Sequence, residues 1–68
     1  MNKAQAKMHI KANYKNMEQI ILLAKLESLK PGQIYGWKHE TEKGTEKRVL
    51  MNTGRNYTIE TIAVETAL

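Results

Sequence analysis

Four lysines, Lys3, Lys7, Lys11 and Lys15, recur at every fourth position of the chain. On a helix they advance by about 40° per step and form a basic ridge about 120° wide. Helix stability does not account for such a ridge. Like charges four residues apart oppose each other by ~0.2–0.5 kcal/mol per pair, and cations near a helix N-terminus oppose its dipole by ~0.3–1 kcal/mol. A phosphate-tracking surface would account for it, since each lysine that neutralises a phosphate adds salt-dependent affinity for nucleic acid. Lysines of this kind position a protein on a backbone but read no bases, and the ridge contains no Arg for bidentate base recognition. Two other readings stand beside this one: a solvated arm that aids solubility, and a surface for an acidic protein partner.

A second group is aromatic. Tyr35, Trp37 and His39 alternate in the sequence and project from one face if the segment is a strand. Such a stripe stacks unpaired bases in single-strand binders. It equally packs beneath a helix, or forms the centre of a protein interface, where Trp and Tyr are enriched. The chain has no Phe, so Trp37 and the three Tyr must supply any aromatic core, and packing is the favoured reading. Gly36 leaves a gap on the opposite face, where a helix or another backbone could come close. The run Thr53-Gly54-Arg55-Asn56-Tyr57 has the faint outline of a phosphate-binding turn that uses Arg55. A phosphate loop needs more Gly and a following helix N-terminus, and a type I turn with a bulge is the plainer account.

Catalytic chemistry is poorly supplied. There is no Asp, no Cys and a single Ser, Ser28, so neither a Ser/His/Asp nor a Cys/His arrangement can be assembled. His9 and His39 lie in different segments without a ligand-spaced partner, and Glu40, Glu42 and Glu46 surround a charged turn. We expect a non-enzyme without metal or cofactor. The absence of Cys also removes disulfides and thiolate metal sites as reinforcement.

The elements that must position these residues divide at Pro31-Gly32. Before it, Met17, Ile20, Ile21, Ala24 and the Leu at 22, 23, 26 and 29 have helical spacing, and Lys30, Pro31 and Gly32 supply the stop. Ile10, Tyr14, Met17, Ile21 and Ala24 fall on one stripe, which predicts one long helix from about Lys3 to Leu29 with a kink near Asn13. Asn16 with Gln19 resembles a capping box; Asn13 and Asn2 are rival caps. After the break, Gln33 to Thr41 reads as a first strand, Glu42 to Thr45 as a hairpin connection, and Glu46 to Asn52 as a second strand. Thr53-Gly54-Arg55 is a second turn, and Tyr57 to Leu68 reads as a third strand with a bulge near Glu60-Thr61. The spacing of Ile59, Ile62, Ala63 and Thr66 would also suit a short helix, but β-branched richness favours the strand.

The expected fold is therefore α+β: one long N-terminal helix packed on a three-stranded antiparallel β-meander. Residues 1–30 form the helical half and residues 33–68 the β half of a single small domain. All of the net charge of +4 belongs to residues 1–33, where six Lys face two Glu, while residues 34–68 balance five basic against five acidic side chains. At 68 residues the chain buries only ~60% of its unfolded surface, and small scaffolds commonly need a staple or a partner. A helix apolar nearly all round is buried on every side, which predicts a homodimer through Ile20, Leu22, Leu23, Leu26 and Leu29. No signal peptide is expected in the polar, basic first 15 residues. The longest apolar run, Ile20 to Ala24, is far short of the ~20 residues of a membrane span, so the expectation is a soluble cytoplasmic protein without a membrane role.

These features point to a small non-catalytic accessory protein that binds a protein partner stoichiometrically, in the manner of the inhibitors and regulators that mobile elements encode. The alternative is a nucleic-acid-binding protein that uses Lys3, Lys7, Lys11 and Lys15, with Tyr35, Trp37 and Arg55 as further contacts.

Overall fold

The helix expected from Lys3 to Leu29 is two helices. In the computed structural model, which describes residues 1–66, α1 spans Lys3–Asn13 and α2 spans Asn16–Ser28. Tyr14 and Lys15 between them are extended, and Asn16 has φ 57°, a left-handed conformation that Asn tolerates better than most residues. The break reverses the chain. Lys3 and Lys7 on α1 both reach Glu27 at the far end of α2, at 2.8 and 3.3 Å, so the pair is an antiparallel helical hairpin. A straight helix of this length would reach ~40 Å, beyond the ~30 Å of a strand of eight to ten residues. Folding back lets both apolar stripes lie over one small sheet.

The caps follow the break. Asn2 and Gln5 form the capping box of α1: the Asn2 side chain accepts from the Gln5 backbone N–H at 2.8 Å, and the Gln5 side chain accepts from that of Asn2 at 2.9 Å. Asn16 and Gln19 do not form one. Lys15 is the N-cap of α2, without a side-chain cap, and the Gln19 amide instead donates to the carbonyls of Tyr14 (2.7 Å) and Lys11 (3.3 Å). That satisfies acceptors left open where α1 ends. Asn13 donates back to the His9 carbonyl at 2.9 Å and starts no helix.

The sheet is the antiparallel meander that the alternation predicts: β1 Ile34–Thr41, β2 Gly44–Asn52 and β3 Tyr57–Thr66, in the order β1-β2-β3. A two-residue connection, Glu42-Lys43, joins β1 to β2, with Thr41 opposite Gly44. The C-terminal segment is a strand, not a helix. Its bulge lies at Ile62, one residue beyond Thr61: Lys47 pairs with Ala63 while its neighbour Arg48 pairs with Thr61. Ala67 and Leu68, also expected in this strand, lie outside the described residues.

The core sits between the helical hairpin and one face of the sheet. Ala6, Ile10, Tyr14, Leu22, Leu26 and Leu50 are buried, and Met1, Leu23, Leu29, Tyr35, Trp37, Tyr57 and Ile59 pack around them. Of the five residues expected at a helix-mediated dimer interface, Leu22 and Leu26 are thus buried in the chain's own core and Leu23 and Leu29 pack against it. Ile20 alone stands exposed, at 61%. The helix that looked apolar on every side takes most of its cover from α1 and the sheet.

At the opposite end from the helical turn, Asn52 is the one buried polar residue among those described. Its amide donates to the Leu29 carbonyl at 3.0 Å and its side-chain oxygen accepts from Gly54 N–H at 2.9 Å, tying the end of α2 to the β2–β3 turn. The amino group of Met1 donates to the Tyr57 carbonyl at 3.0 Å, and Tyr57 N–H returns a bond to Met1 at 2.7 Å. No helix among the described residues is long and apolar enough to cross a membrane.

Candidate protein-binding face between α2 and β1

Alternation along β1 turns Tyr35, Trp37 and His39 toward the helices, each partly buried, while Ile34, Gly36, Lys38 and Glu40 are exposed on the other face. The three rings share one face as the spacing predicts, and they line the underside of the helical hairpin. The Trp37 indole N–H donates to the Glu18 carboxylate of α2 at 2.9 Å, and His39 Nδ1 lies 2.9 and 3.1 Å from its two oxygens. Tyr35 stacks against Trp37 with centroids 6.0 Å apart and planes 9° from parallel. Lys25 of α2 places its ammonium 4.9 Å from the centre of the Tyr35 ring, a cation–π contact. Tyr14, from the break between the helices, presses edge-on against Trp37 at 5.8 Å and His39 at 5.3 Å.

Behind these rings runs a charged relay across the sheet. Arg48 of β2 donates to the Tyr14 hydroxyl at 2.7 Å and, through Nε and Nη2, to Glu46 at 2.9 and 2.7 Å. Thr61 of β3 donates to the same Glu46 oxygen at 3.1 Å. The hydrogen bond from Arg48 holds the Glu46 carboxyl below its usual range, against the opposing effect of burial. For Arg48, burial pulls the other way, but its bonds to Glu46 and Tyr14 outweigh it and keep the guanidinium firmly charged. No buried side-chain nitrogen or oxygen among the described residues lacks a partner. Aromatic rings held by charged hydrogen bonds and by one another are fixed in place, so little side-chain ordering is left for a contact with them to cost.

The rings open onto a groove of about 300 Å³ lined by Glu18, Ile21, Leu22, Tyr35, Trp37 and Lys38. On α2 the groove continues into an uncovered apolar stripe: Met17 is 65% exposed, Ile20 61% and Ile21 38%. What this face can do chemically is bury apolar surface. Among the described residues no three His or Glu converge as metal ligands.

The lysine ridge is divided by the break. Lys3, Lys7 and Lys11 lie on α1, whereas Lys15 sits in extended backbone at the start of α2. Lys3 and Lys7 share Glu27, whose carboxyl is held below its usual range by the hydrogen bond from Lys3 and then that from Lys7. Lys11, Lys15 and Arg55 are exposed and make no ion pair among the described residues. Arg55 lies in a turn whose backbone is already engaged: Thr53 and Gly54 N–H donate to the Asn56 carbonyl and the Asn52 side chain, both at 2.9 Å. Among the described residues no helix follows that turn. At Gly36 no backbone crowds in; an added Cβ would make ordinary contacts with Val49 at 3.7 Å and the Arg48 carbonyl at 3.8 Å.

The aromatic stripe was visible as a candidate in the sequence, and the structure joins it to α2. Of the residues that hold it, Glu18 and Arg48 carry no signal in the sequence, Tyr14 reads only as part of a helical stripe and Glu46 only as a carboxylate near a turn. No local pattern pairs a residue of α2 with a ring 19 positions later. Comparison with known proteins adds no further guide: no family model matches the chain, and no significant similarity to a curated protein or a solved structure is found.

Proposed function

We propose that the chain is a non-catalytic protein-binding module, acting stoichiometrically as an inhibitor or regulator through the face formed by α2 and β1. The observation that carries this reading is the continuity of Met17, Ile20 and Ile21, all exposed, with the groove floored by Tyr35 and Trp37. Protein interfaces concentrate their energy in such a patch, where an aromatic anchor is flanked by apolar side chains. Exposed apolar residues scattered singly need no explanation, but three on one helix beside a groove form a contiguous surface.

The lysines support a nucleic-acid reading less well. Two of the four are shared with Glu27, and the break removes Lys15 from the helical ridge. Tyr35 and Trp37 floor a groove beside α2 rather than a flat platform on which successive bases could stack.

The test compares two sets of exposed substitutions. A stoichiometric partner captured from the native host should be lost with Met17→Glu/Ile20→Glu and kept with Lys3, Lys7, Lys11 and Lys15→Gln. If instead the chain binds arbitrary DNA with a steep salt dependence, and the lysine variant loses that binding, the protein-binding reading is overturned in favour of the nucleic-acid one.

A further inference from the structure

β1 is an edge strand, and its outward backbone groups have no partner among the described residues. Which groups these are follows from the register. Thr41 and Gly44 close the two-residue hairpin, and the Gln33 carbonyl accepts from Asn52 N–H at 3.1 Å. Antiparallel strands alternate hydrogen-bonded and non-hydrogen-bonded pairs, so residues 35, 37, 39 and 41 direct their backbone groups to β2. Ile34, Gly36, Lys38 and Glu40 direct theirs outward. Natural edges are blunted by Pro, by bulges, by charged side chains or by cover from another element. β3 carries the bulge at Ile62, whereas β1 pairs without interruption from Ile34 to Thr41 and contains no Pro. The backbone of β1 is therefore the open template, guarded only by the charges of Lys38 and Glu40, which admit a strand that sets opposite charges against them.

We infer that the edge of β1 pairs antiparallel with the same edge of a second copy, about a two-fold axis at His39, so that Lys38 of each chain faces the partner's Glu40. Within Ile34–Thr41 this is the one register that sets opposite charges directly across from each other. Directly opposed residues must share a face, so the axis passes through a residue position. An axis at Lys38 would oppose that lysine to itself, which is unfavourable. An axis at His39 opposes Lys38 to Glu40 twice, and both lie among the residues whose backbone groups point outward. The two side chains are free to do so: both are exposed, and neither forms an ion pair among the described residues. Glu40 accepts only the Thr45 hydroxyl, at 2.9 Å. The result is a six-stranded sheet with a helical hairpin on each half. Pairing spans the hairpin end of β1 and so takes in Trp37 and Lys38 of the groove, while Glu18, Ile21, Leu22 and Tyr35 lie outside it; the pairing is argued from the strand edge and its charges and does not rest on the partner-binding reading.

Sedimentation equilibrium or light scattering at micromolar concentration should give twice the 7.8 kDa chain mass. K38E sets like charges against each other at both symmetric positions and should weaken dimerisation about tenfold or more; the swap K38E/E40K should restore it. Circular dichroism confirms that the variants fold. In the unaltered protein, amide exchange at Lys38 and Glu40 should slow as concentration rises through the dimerisation range, which tests the pairing without any substitution. A monomer at all concentrations overturns the inference and leaves the protein-binding reading in place. A dimer indifferent to K38E, or one whose Lys38 and Glu40 amides exchange freely, overturns it as well.

Discussion

Tyr14 is where the helical hairpin, the aromatic stripe and the charged relay meet, and its removal tests the architecture most directly. Its ring is 1% exposed, lies edge-on to Trp37 and His39, and carries the hydroxyl that accepts from Arg48. A buried aromatic side chain removes ~200 Å² from water, which at ~25 cal/mol per Å² gives an upper bound of ~5 kcal/mol. Tyr14→Ala keeps the Cβ but leaves a cavity, so the expected loss is about 3–5 kcal/mol. The whole chain at this size is stable by roughly 3–10 kcal/mol, so this variant should be largely unfolded or close to it. Tyr14→Phe keeps the ring and removes only the acceptor. Arg48 retains Glu46 and is partly solvated, with 22% of its side chain exposed, so the loss should be about 1 kcal/mol, or ~4–8 °C in Tm. Urea unfolding followed by fluorescence of Trp37, the only tryptophan, measures both. If Tyr14→Ala costs less than about 1 kcal/mol, or if Tyr14→Phe is as damaging, the account of Tyr14 as a packing centre fails.

Two further outcomes check other parts of the structure. Leu26 is fully buried and Ile20 mostly exposed, so Leu26→Ala should lose about 2–5 kcal/mol and Ile20→Ala no more than about 0.5 kcal/mol; the opposite order in urea midpoints would show that α2 presents another face to the sheet. Acid should destabilise the fold through Glu46 and Glu27, whose carboxyls are held low by Arg48 and by Lys3 with Lys7. A depressed folded pKa contributes stability that is present above the ordinary carboxylate value and is lost as pH falls through the lowered one. Urea midpoints compared between neutral pH and about pH 3 should therefore fall, and less so in Glu46→Gln; an unchanged acid decline in that variant would remove Glu46 from the account.

Much of the fold was legible because its signals are local. Alternation from Gln33 to Thr41, the Gly- and Asn-bearing turns and the Pro31-Gly32 stop each act within a few residues, and the three strands and the end of α2 lie close to where they place them, although Gly44 and Thr45, expected in the connection, pair as the start of β2. The break at Tyr14 and Lys15 was not legible in the same way. The stripe through Ile10, Tyr14, Met17 and Ile21 is continuous on an ideal helix, and no Pro or Gly interrupts it. What breaks it is a requirement of the whole: Tyr14 must turn inward to reach Arg48 on β2, and α1 must return to cover the sheet beside α2.

The candidate face divides along the same line. Sequence alone determined its raw material, since period-two spacing puts Tyr35, Trp37 and His39 on one side of a strand whatever lies above them. It also determined that net charge gathers before the Pro31-Gly32 boundary and that Asp and Cys chemistry is absent. Only tertiary structure decided which of the apolar residues of α2 would be covered. Leu22 and Leu26 went to the core, and Met17, Ile20 and Ile21 were left beside the groove. A helix with apolar residues on most of its circumference has several faces it can bury at similar gain, and periodicity does not rank them. The choice is made by long-range partners, Glu18 with Trp37 and His39 and Tyr14 with Arg48, whose pairing depends on how the helical hairpin and the sheet come together.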